Sequence, residues 1–169
     1  MYHHLFYNCR TFYNTTVRSD ISFQYCKAAG LAVRIVDRAD GLVVESPVYY
    51  AAPNGALCAF LDRLFYMKSG AYAYKPAAAA VSCRRGGASA AFDRLNKYFT
   101  ISCMPIVSSQ YWNSVHGNTP DEVRQDKEGL QIMRTLGDNM AWLIKCIEAA
   151  KGTVPYPVRE PWTPTNFIH

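Results

Sequence analysis

The strongest constraint on this 169-residue chain is an alternation of short apolar runs with longer amphipathic segments. Residues 41–44 and 77–83 are apolar runs bounded by turn residues, a pattern that is typical of buried parallel strands. A helical repeat of apolar residues follows each run, over residues 57–65 and 88–99. Because parallel strands need a crossover between them, this order predicts an α/β fold, a parallel sheet flanked by helices.

The remaining elements follow from local patterns. An apolar stripe predicts a helix over residues 31–39, and a strand there is disfavoured because about three residues could not cross over to the next parallel strand. Residues 46–53, with two prolines, predict a loop that ends at Asn54, a candidate helix cap. Residues 103–108 predict a third strand, at a sheet edge because the run contains a proline. Thr119-Pro-Asp-Glu is a capping box that begins a long helix, which Gly129 and Gly137 can bend.

Length and composition limit the classes of protein. The length predicts one domain over residues 1–169. It consists of an atypical N-terminal segment (1–39), a core (40–150) and an extended proline-rich arm (151–169). A second subunit could cover Trp162 and Phe167 on this arm. No apolar run is long enough to span a membrane, and without an evident leader we expect a cytoplasmic protein. The net charge of +5 is spread along the chain, so nucleic acid is not an expected partner. The six cysteines are widely spaced, so no metal site is predicted.

Three loops combine aromatic, basic and glycine residues near the expected carboxyl ends of strands, where open α/β sheets bind ligands. Tyr49 and Tyr50 offer flat faces and hydroxyls, and the segment Arg84–Gly87 allows close backbone approach and ends at a helix N-terminus. Tyr111 and Trp112, followed by His116, suggest stacking or a subunit contact. For each loop, an ordinary surface turn or a core residue stays open as the alternative. The motifs G-x-S-x-G, G-x-x-x-x-G-K-[ST] and G-x-G-x-x-G are absent from the sequence.

These loops also carry a resemblance. ADGLVVESPVYYAAPNGALCAFLDRLFY and SCRRGGASAAFDRLNKYF resemble the flavodoxin-like NAD(P)H-dependent FMN reductases. The stretch PIVSSQYWNSVHGNTPDEVRQDKEGLQIMRTLGDNMAWLIK is similar to the C-terminal part of one branch of that family. The resemblance runs from about residue 40 to the end, and it rests on the motifs SPVYY, RRGG and YWN in this order.

The resemblance implies a three-layer fold with five parallel strands in the order 2-1-3-4-5, FMN as cofactor and NAD(P)H as co-substrate. It implies hydride transfer through the flavin to a small-molecule acceptor such as a quinone or a flavin, with no protein general base, in a homodimer or higher oligomer. The residues that it assigns to the cofactor are Pro47, Val48, Tyr49, Tyr50, Asn54, Gly55, Arg84, Arg85, Gly86, Gly87, Ala88, Tyr111 and Trp112.

The N-terminus departs from the family pattern. The family holds the FMN phosphate in a loop of the form G-S-P-R-x-x-x-N-T, whereas YNCRTFYNTT matches only at Arg10, Asn14 and Thr15. Only 40 residues precede the run that matches the family's third strand, so part of the first βαβ unit is expected to be missing. Either the N-terminus is truncated or replaced, or the chain is a shortened variant that has lost the phosphate site.

The first hypothesis for the function is an FMN-dependent oxidoreductase, and the alternative is a non-catalytic remnant that serves as a binding or dimerisation module. A flavodoxin-type electron carrier is a third and weaker candidate, since the chain is basic.

Overall fold

The structure, a computed structural model, describes residues 21–165. Its elements in chain order are α1 (Ile21–Arg38), β1 (Leu42–Tyr49), β2 (Ala52–Pro53), α2 (Gly55–Lys68), β3 (Ala77–Cys83), α3 (Ala88–Ile101), β4 (Ser114–His116), α4 (Pro120–Gln125) and α5 (Lys127–Ala150). A short 3-10 turn over Ser69–Tyr72 joins α2 to the strand that follows. The predicted helix over residues 31–39 is confirmed as the second half of α1.

The strands form one mixed sheet in the order β2-β1-β3-β4. The strands β1 and β3 run parallel from the pair Leu42↔Ala77 to Pro47↔Ser82, and β4 lies parallel to the other side of β3. The two-residue β2 folds back antiparallel on the end of β1. The parallel α/β core is thus confirmed. The segment in which the family pattern places its phosphate loop, with Arg10, Asn14 and Thr15, lies outside the described residues.

The sheet is covered by helices on both faces. One face, which carries Val44 and Ala79, packs against α1, α2 and α3. The other face, which carries Ala78, packs against α5 through Leu136 and Met140. The four alanines that begin β3 are all buried, and their small side chains allow helices to approach the central strand from both sides. Helices on both sides of the sheet give the expected three-layer arrangement.

Two expectations for the sheet are wrong. The segment after Val44 was expected to be a loop, but β1 continues through Ser46 and Pro47 to Tyr49 and turns directly into β2. The expected third strand over residues 103–108 forms only an isolated bridge between Ile106 and Ala77. The chain then leaves the sheet and returns as β4.

The side chain of Asn113 explains why the chain can leave the sheet at this point. Its side-chain NH2 group donates to the carbonyl of Ala79 (2.9 Å), while the backbone carbonyl of Asn113 accepts from the backbone N–H of Val81 (2.9 Å). The amide therefore satisfies a carbonyl of β3 where the neighbouring strand is interrupted. Asn113 is 1% exposed, as expected for a polar side chain that takes part in the sheet.

The helical segment that begins after Thr119 is two helices. Thr119 caps α4 as predicted, because its hydroxyl accepts from the N–H of Glu122 (3.2 Å). The interruption comes at Asp126, whose carboxylate caps α5 by accepting from the N–H of Gly129 (2.8 Å). A new cap, and not flexibility at Gly129 or Gly137, thus accounts for the break.

The C-terminal arm has no regular secondary structure over residues 155–165 and is exposed throughout, as predicted for a proline-rich segment. Its first part docks on the loop before β3. The ring of Tyr156 stacks on Tyr74 with centroids 5.0 Å apart, and the Tyr74 hydroxyl donates to the carbonyl of Pro157 (3.2 Å). Val158 and Trp162 beyond this contact are almost fully exposed. Across the described part of the chain, no helix is both long and apolar enough to cross a membrane.

Candidate functional site

A tight hairpin turn stands at the carboxyl end of β1. Tyr50 and Ala51, its two central residues, have φ values of 51° and 60°, a combination that belongs to the turns preferred by right-twisted hairpins. Neither residue is glycine, so each holds a backbone conformation that costs on the order of 1 kcal/mol or more. The turn leaves Tyr50 fully exposed and Tyr49 45% exposed. The backbone is therefore strained at the place where two aromatic rings face outward.

The loop after β3 packs directly on this hairpin. Gly87 has a φ of 87°, and a Cβ atom there would lie 2.7 Å from Cα of Ala51 and 3.2 Å from Cγ1 of Val48. Only glycine therefore fits at this position, for both its φ and its contact. The structure thus brings together the SPVYY and RRGG motifs, which lie far apart in the sequence.

The same loop presents unused hydrogen-bond donors. Within the described residues, the backbone N–H groups of Gly86 and Gly87 donate to no acceptor, and a Cβ atom at Gly86 would meet nothing within 4 Å. Gly87 is also the cap residue of α3 and provides no side chain to its N-terminus, where Ala88 is the first helical residue. These donors beside an exposed tyrosine can receive the oxygen and nitrogen atoms of a planar ligand.

Beneath the loop lies Cys83, the last residue of β3, which is buried. Burial raises the pKa of its thiol, and the N–H of Arg85, which is directed at the sulfur, opposes this rise only in part. The thiol is therefore neutral at ordinary pH, and it anchors the loop through that N–H.

Ser46 supports the hairpin from below, and sequence reasoning did not identify it. Its buried hydroxyl accepts from the N–H of Asn54 (2.8 Å) and donates to the carbonyl of Pro47 (2.8 Å). The side-chain carbonyl of Asn54 caps α2 by accepting from the N–H of Leu57 (3.0 Å), which confirms the predicted cap. That oxygen is thereby occupied, whereas Gly55, the next residue, is exposed. The Ser-Pro pair at the start of the SPVYY motif was the available signal for Ser46.

Tyr111 and Trp112 lie elsewhere in the structure. They precede Ser114, which pairs with Val81, so their backbone lies toward the amino ends of the strands and two strands away from the hairpin. Their rings contact each other with centroids 5.0 Å apart, and both are more than half exposed. Among the described residues, the strand β3 separates them from the hairpin, since β4 and β1 lie on either side of it.

His116 ends β4 and is a better-placed residue of this segment. It pairs in register with Cys83, so it stands at the same edge of the sheet as the RRGG loop. Its Nδ1 atom lies 3.5 Å from Oδ2 of Asp126, and its backbone N–H donates to that oxygen (2.7 Å). The side chain is 48% exposed and lines a shallow depression together with Tyr111. The imidazole is thus positioned by a carboxylate and accessible to a ligand, an arrangement that suits proton donation.

Asp126 is ionised in this arrangement. Burial alone would raise the pKa of its carboxyl, but the N–H groups of Gly129 and His116 outweigh that effect and hold the pKa below its ordinary value. Its negative charge lies beside the imidazole ring of His116.

The edge of the sheet therefore offers a flat aromatic ring and free backbone donors, and the side chains of Arg84 and Arg85 are exposed beside them. The ring and the donors fit the planar, polar-edged ring system of FMN. Over the part of the chain that the structure covers, no three histidine, cysteine or acidic side chains are grouped so that they could hold a metal ion.

Comparison with known proteins identifies the family of the chain. A family model described as NADPH-dependent FMN reductase matches residues 6–119, so the match begins well before residue 40, where the motif resemblance starts. An iron-sulfur flavoprotein of Methanocaldococcus jannaschii is 27% identical over 118 residues, which cover 65% of this chain. The chain spans 61% of that relative's length.

Solved structures show the same fold. The flavoenzyme NAD(P)H:(acceptor) oxidoreductase FerB from Paracoccus denitrificans matches with a TM-score of 0.55 at 17% identity, over 78% of this chain and 75% of its own. An oxidoreductase from Corynebacterium diphtheriae matches with a TM-score of 0.50 at 19% identity, over 72% of this chain and 63% of its own. At such identities, these likenesses establish the flavodoxin-like fold.

Proposed function

Because the chain belongs to the NADPH-dependent FMN reductase family, we propose that it is an FMN-dependent oxidoreductase that uses NAD(P)H to reduce a small-molecule acceptor. The observation that carries the proposal is the contact between the hairpin and the RRGG loop, where Gly87 packs against Ala51. Two family motifs meet there around exposed aromatic rings and unpaired N–H groups. When bound, FMN would supply the hydride and electron transfer between the nicotinamide and the acceptor.

The residues of the chain bind and orient the flavin. Tyr49 and Tyr50, supported by Pro47 and Val48, form one wall against the ring. The N–H groups of Gly86, Gly87 and Ala88 face the polar edge of the ring, and the N-terminus of α3 favours negative charge there. Because the hairpin is held in its strained conformation before the ligand arrives, little ordering is needed on binding.

Asn54 and Gly55 hold the start of α2 beside the hairpin and are proposed to contact the ring from that side. Tyr111 and Trp112 are proposed to act at a subunit contact near the flavin of a second copy, because they do not reach the hairpin of their own chain. These assignments rest on the family pattern together with the exposure of the residues.

Flavin retention tests the proposal directly. The purified protein is mixed with FMN, passed through a desalting column, and its visible absorption spectrum recorded. We expect a retained flavin spectrum in the wild type and a clear loss in the variant Tyr50→Ala. Tyr66→Ala is the matched control, because Tyr66 is equally exposed (95%) but lies on α2. Steady-state oxidation of NADPH and NADH then establishes turnover. A folded wild type that retains no flavin would refute the proposal.

The alternative function is a binding or dimerisation module without a working flavin site, and the same experiment separates the two. A colourless, folded protein that self-associates would favour it, whereas flavin-dependent turnover would eliminate it. The name of the M. jannaschii relative includes an iron–sulfur centre, but the cysteines of this chain are not clustered as such a centre requires, and the smallest spacing is between Cys9 and Cys26.

We also propose a homodimer in which the arm covers a second copy. The arm projects Val158 and Trp162 into solvent after Tyr156 has docked on Tyr74, and large apolar side chains in such an array mark an interaction surface. Sedimentation velocity of the wild type should show a dimer or a larger assembly, and Trp162→Ala should weaken it. A monomeric wild type at micromolar concentration would contradict this assembly.

A further inference from the structure

Arg84 and Arg85 are adjacent, exposed and without a counter-charge. Neither guanidinium makes an ion pair or a hydrogen bond with any of the described residues. By contrast, Arg94 lies beside Asp62 and Arg124 beside Asp121. Two like charges on neighbouring residues repel each other, so an external anion would stabilise this pair.

The two side chains extend from a fixed base. Gly87 locks one end of the loop against the hairpin, and the N–H of Arg85 holds the other end to the sulfur of Cys83. The N-terminus of α3 begins at once after the loop, with no acidic residue in its first turn, and adds to the positive potential. The exposed ring of Tyr50 lies on the hairpin that contacts this loop, so a flat group and an anion could bind side by side.

We propose that Arg84 and Arg85 bind the 2′-phosphate of NADPH and make the chain prefer NADPH to NADH. The inference rests on the proposed function and names the residues that select its co-substrate. Guanidinium groups pair with phosphate through two parallel hydrogen bonds, which a ribose hydroxyl cannot match. Both side chains are exposed, so a phosphate group can reach them from solvent.

The main test compares coenzymes within each variant. The kcat/KM ratio for NADPH over NADH is measured for the wild type, Arg84→Gln, Arg85→Gln and the double variant. We expect the ratio to fall by about tenfold to a hundredfold in the double variant, the range for charge-assisted hydrogen bonds, mainly through KM for NADPH. Arg134→Gln is the matched control, since Arg134 is also exposed and unpaired with any described residue but lies on α5.

A binding measurement tests the proposal without turnover. Calorimetry with 2′,5′-ADP and with 5′-AMP, which differ by the phosphate in question, should show tighter binding of 2′,5′-ADP to the wild type. That advantage should disappear in the double variant and weaken with rising salt. Because neither probe contains a flavin, this test gives a result even if the chain fails to turn over.

Three outcomes would overturn the inference. The ratio of coenzymes could be unchanged in the double variant, or both coenzymes could lose activity equally. Alternatively, the double variant could keep its coenzyme preference and its affinity for riboflavin but lose affinity for FMN. That result would assign the two guanidinium groups to the phosphate of the flavin. In all three cases a retained flavin spectrum in the wild type leaves the proposed function standing, so the two failures are distinguishable.

Discussion

Asp126 links the end of β4 to the start of α5, and its removal should be costly. One carboxylate oxygen accepts from the N–H of Gly129 and caps a 24-residue helix. The other accepts from the N–H of His116. The side chain is 17% exposed, so water cannot easily replace both bonds. The substitution Asp126→Ala leaves two N–H groups without their acceptor.

The size of the effect follows from these two bonds. Loss of a helix cap costs typically about 1 kcal/mol. Loss of a hydrogen bond to a charged group costs about 1.5–3 kcal/mol. We therefore expect unfolding free energy to fall by about 3 kcal/mol, which in a chain of this length lowers Tm by roughly 6–12 °C. Asp126→Asn should lose less, because an amide oxygen can still cap the helix.

Urea denaturation at several pH values is the assay. The pKa of Asp126 is held below its ordinary value of 3.8, so the ionised carboxylate stabilises the folded state. That contribution is complete above the pKa of the unfolded chain and is lost as the pH falls through the lower pKa of the folded state. The difference between wild type and Asp126→Ala should therefore be full at neutral pH and shrink below about pH 4. Asp138→Ala, an exposed site on the same helix, should change little. An Asp126→Ala variant as stable as the wild type would refute the reasoning.

Three further predictions concern the site and its support. Gly87→Ala places a Cβ atom 2.7 Å from Cα of Ala51, so we expect a loss of about 1–3 kcal/mol in urea denaturation, together with weaker flavin retention. Lys75→Met removes an ammonium group that donates to three backbone carbonyls at the end of α1, the nearest at 2.6 Å. The free energy of unfolding should fall by about 1–3 kcal/mol. An unchanged midpoint of urea denaturation would show that water caps the helix equally well. Asn113→Ala leaves the carbonyl of Ala79 unpaired and should cost about 1–3 kcal/mol, and hydrogen exchange should rise in β4 first.

The elements with strong internal patterns were predictable from the sequence. β3 has the predicted bounds, because Pro76 and the RRGG turn delimit it on both sides. The caps at Asn54 and Thr119 were predictable because capping is local: the acceptor side chain and its donor lie three residues apart. The meeting of the hairpin with the RRGG loop could be expected because both follow neighbouring parallel strands.

The predictions that were wrong share a different cause, because each of these segments depends on a partner that is distant in the sequence. β1 extends through Pro47 because β3 lies beside it, and two prolines in the segment suggested a loop. The strand over residues 103–108 breaks off because Asn113 supplies a side-chain amide to β3, and no local pattern announces such a replacement. The assignment of Trp112 to the cofactor stays a prediction, because β3 lies between β4 and the hairpin of the same chain and only a second copy could bring the ring to a flavin.

The Tyr50–Ala51 turn has a consequence for anyone who engineers this protein. Asparagine and glycine adopt its backbone angles with little strain, so the sequence Asn-Gly should raise the melting temperature. It would also delete the aromatic ring that the turn displays. A library screened for thermal resistance alone would therefore enrich that replacement and discard the ring. At this position, selection for heat tolerance and selection for ligand binding favour opposite residues.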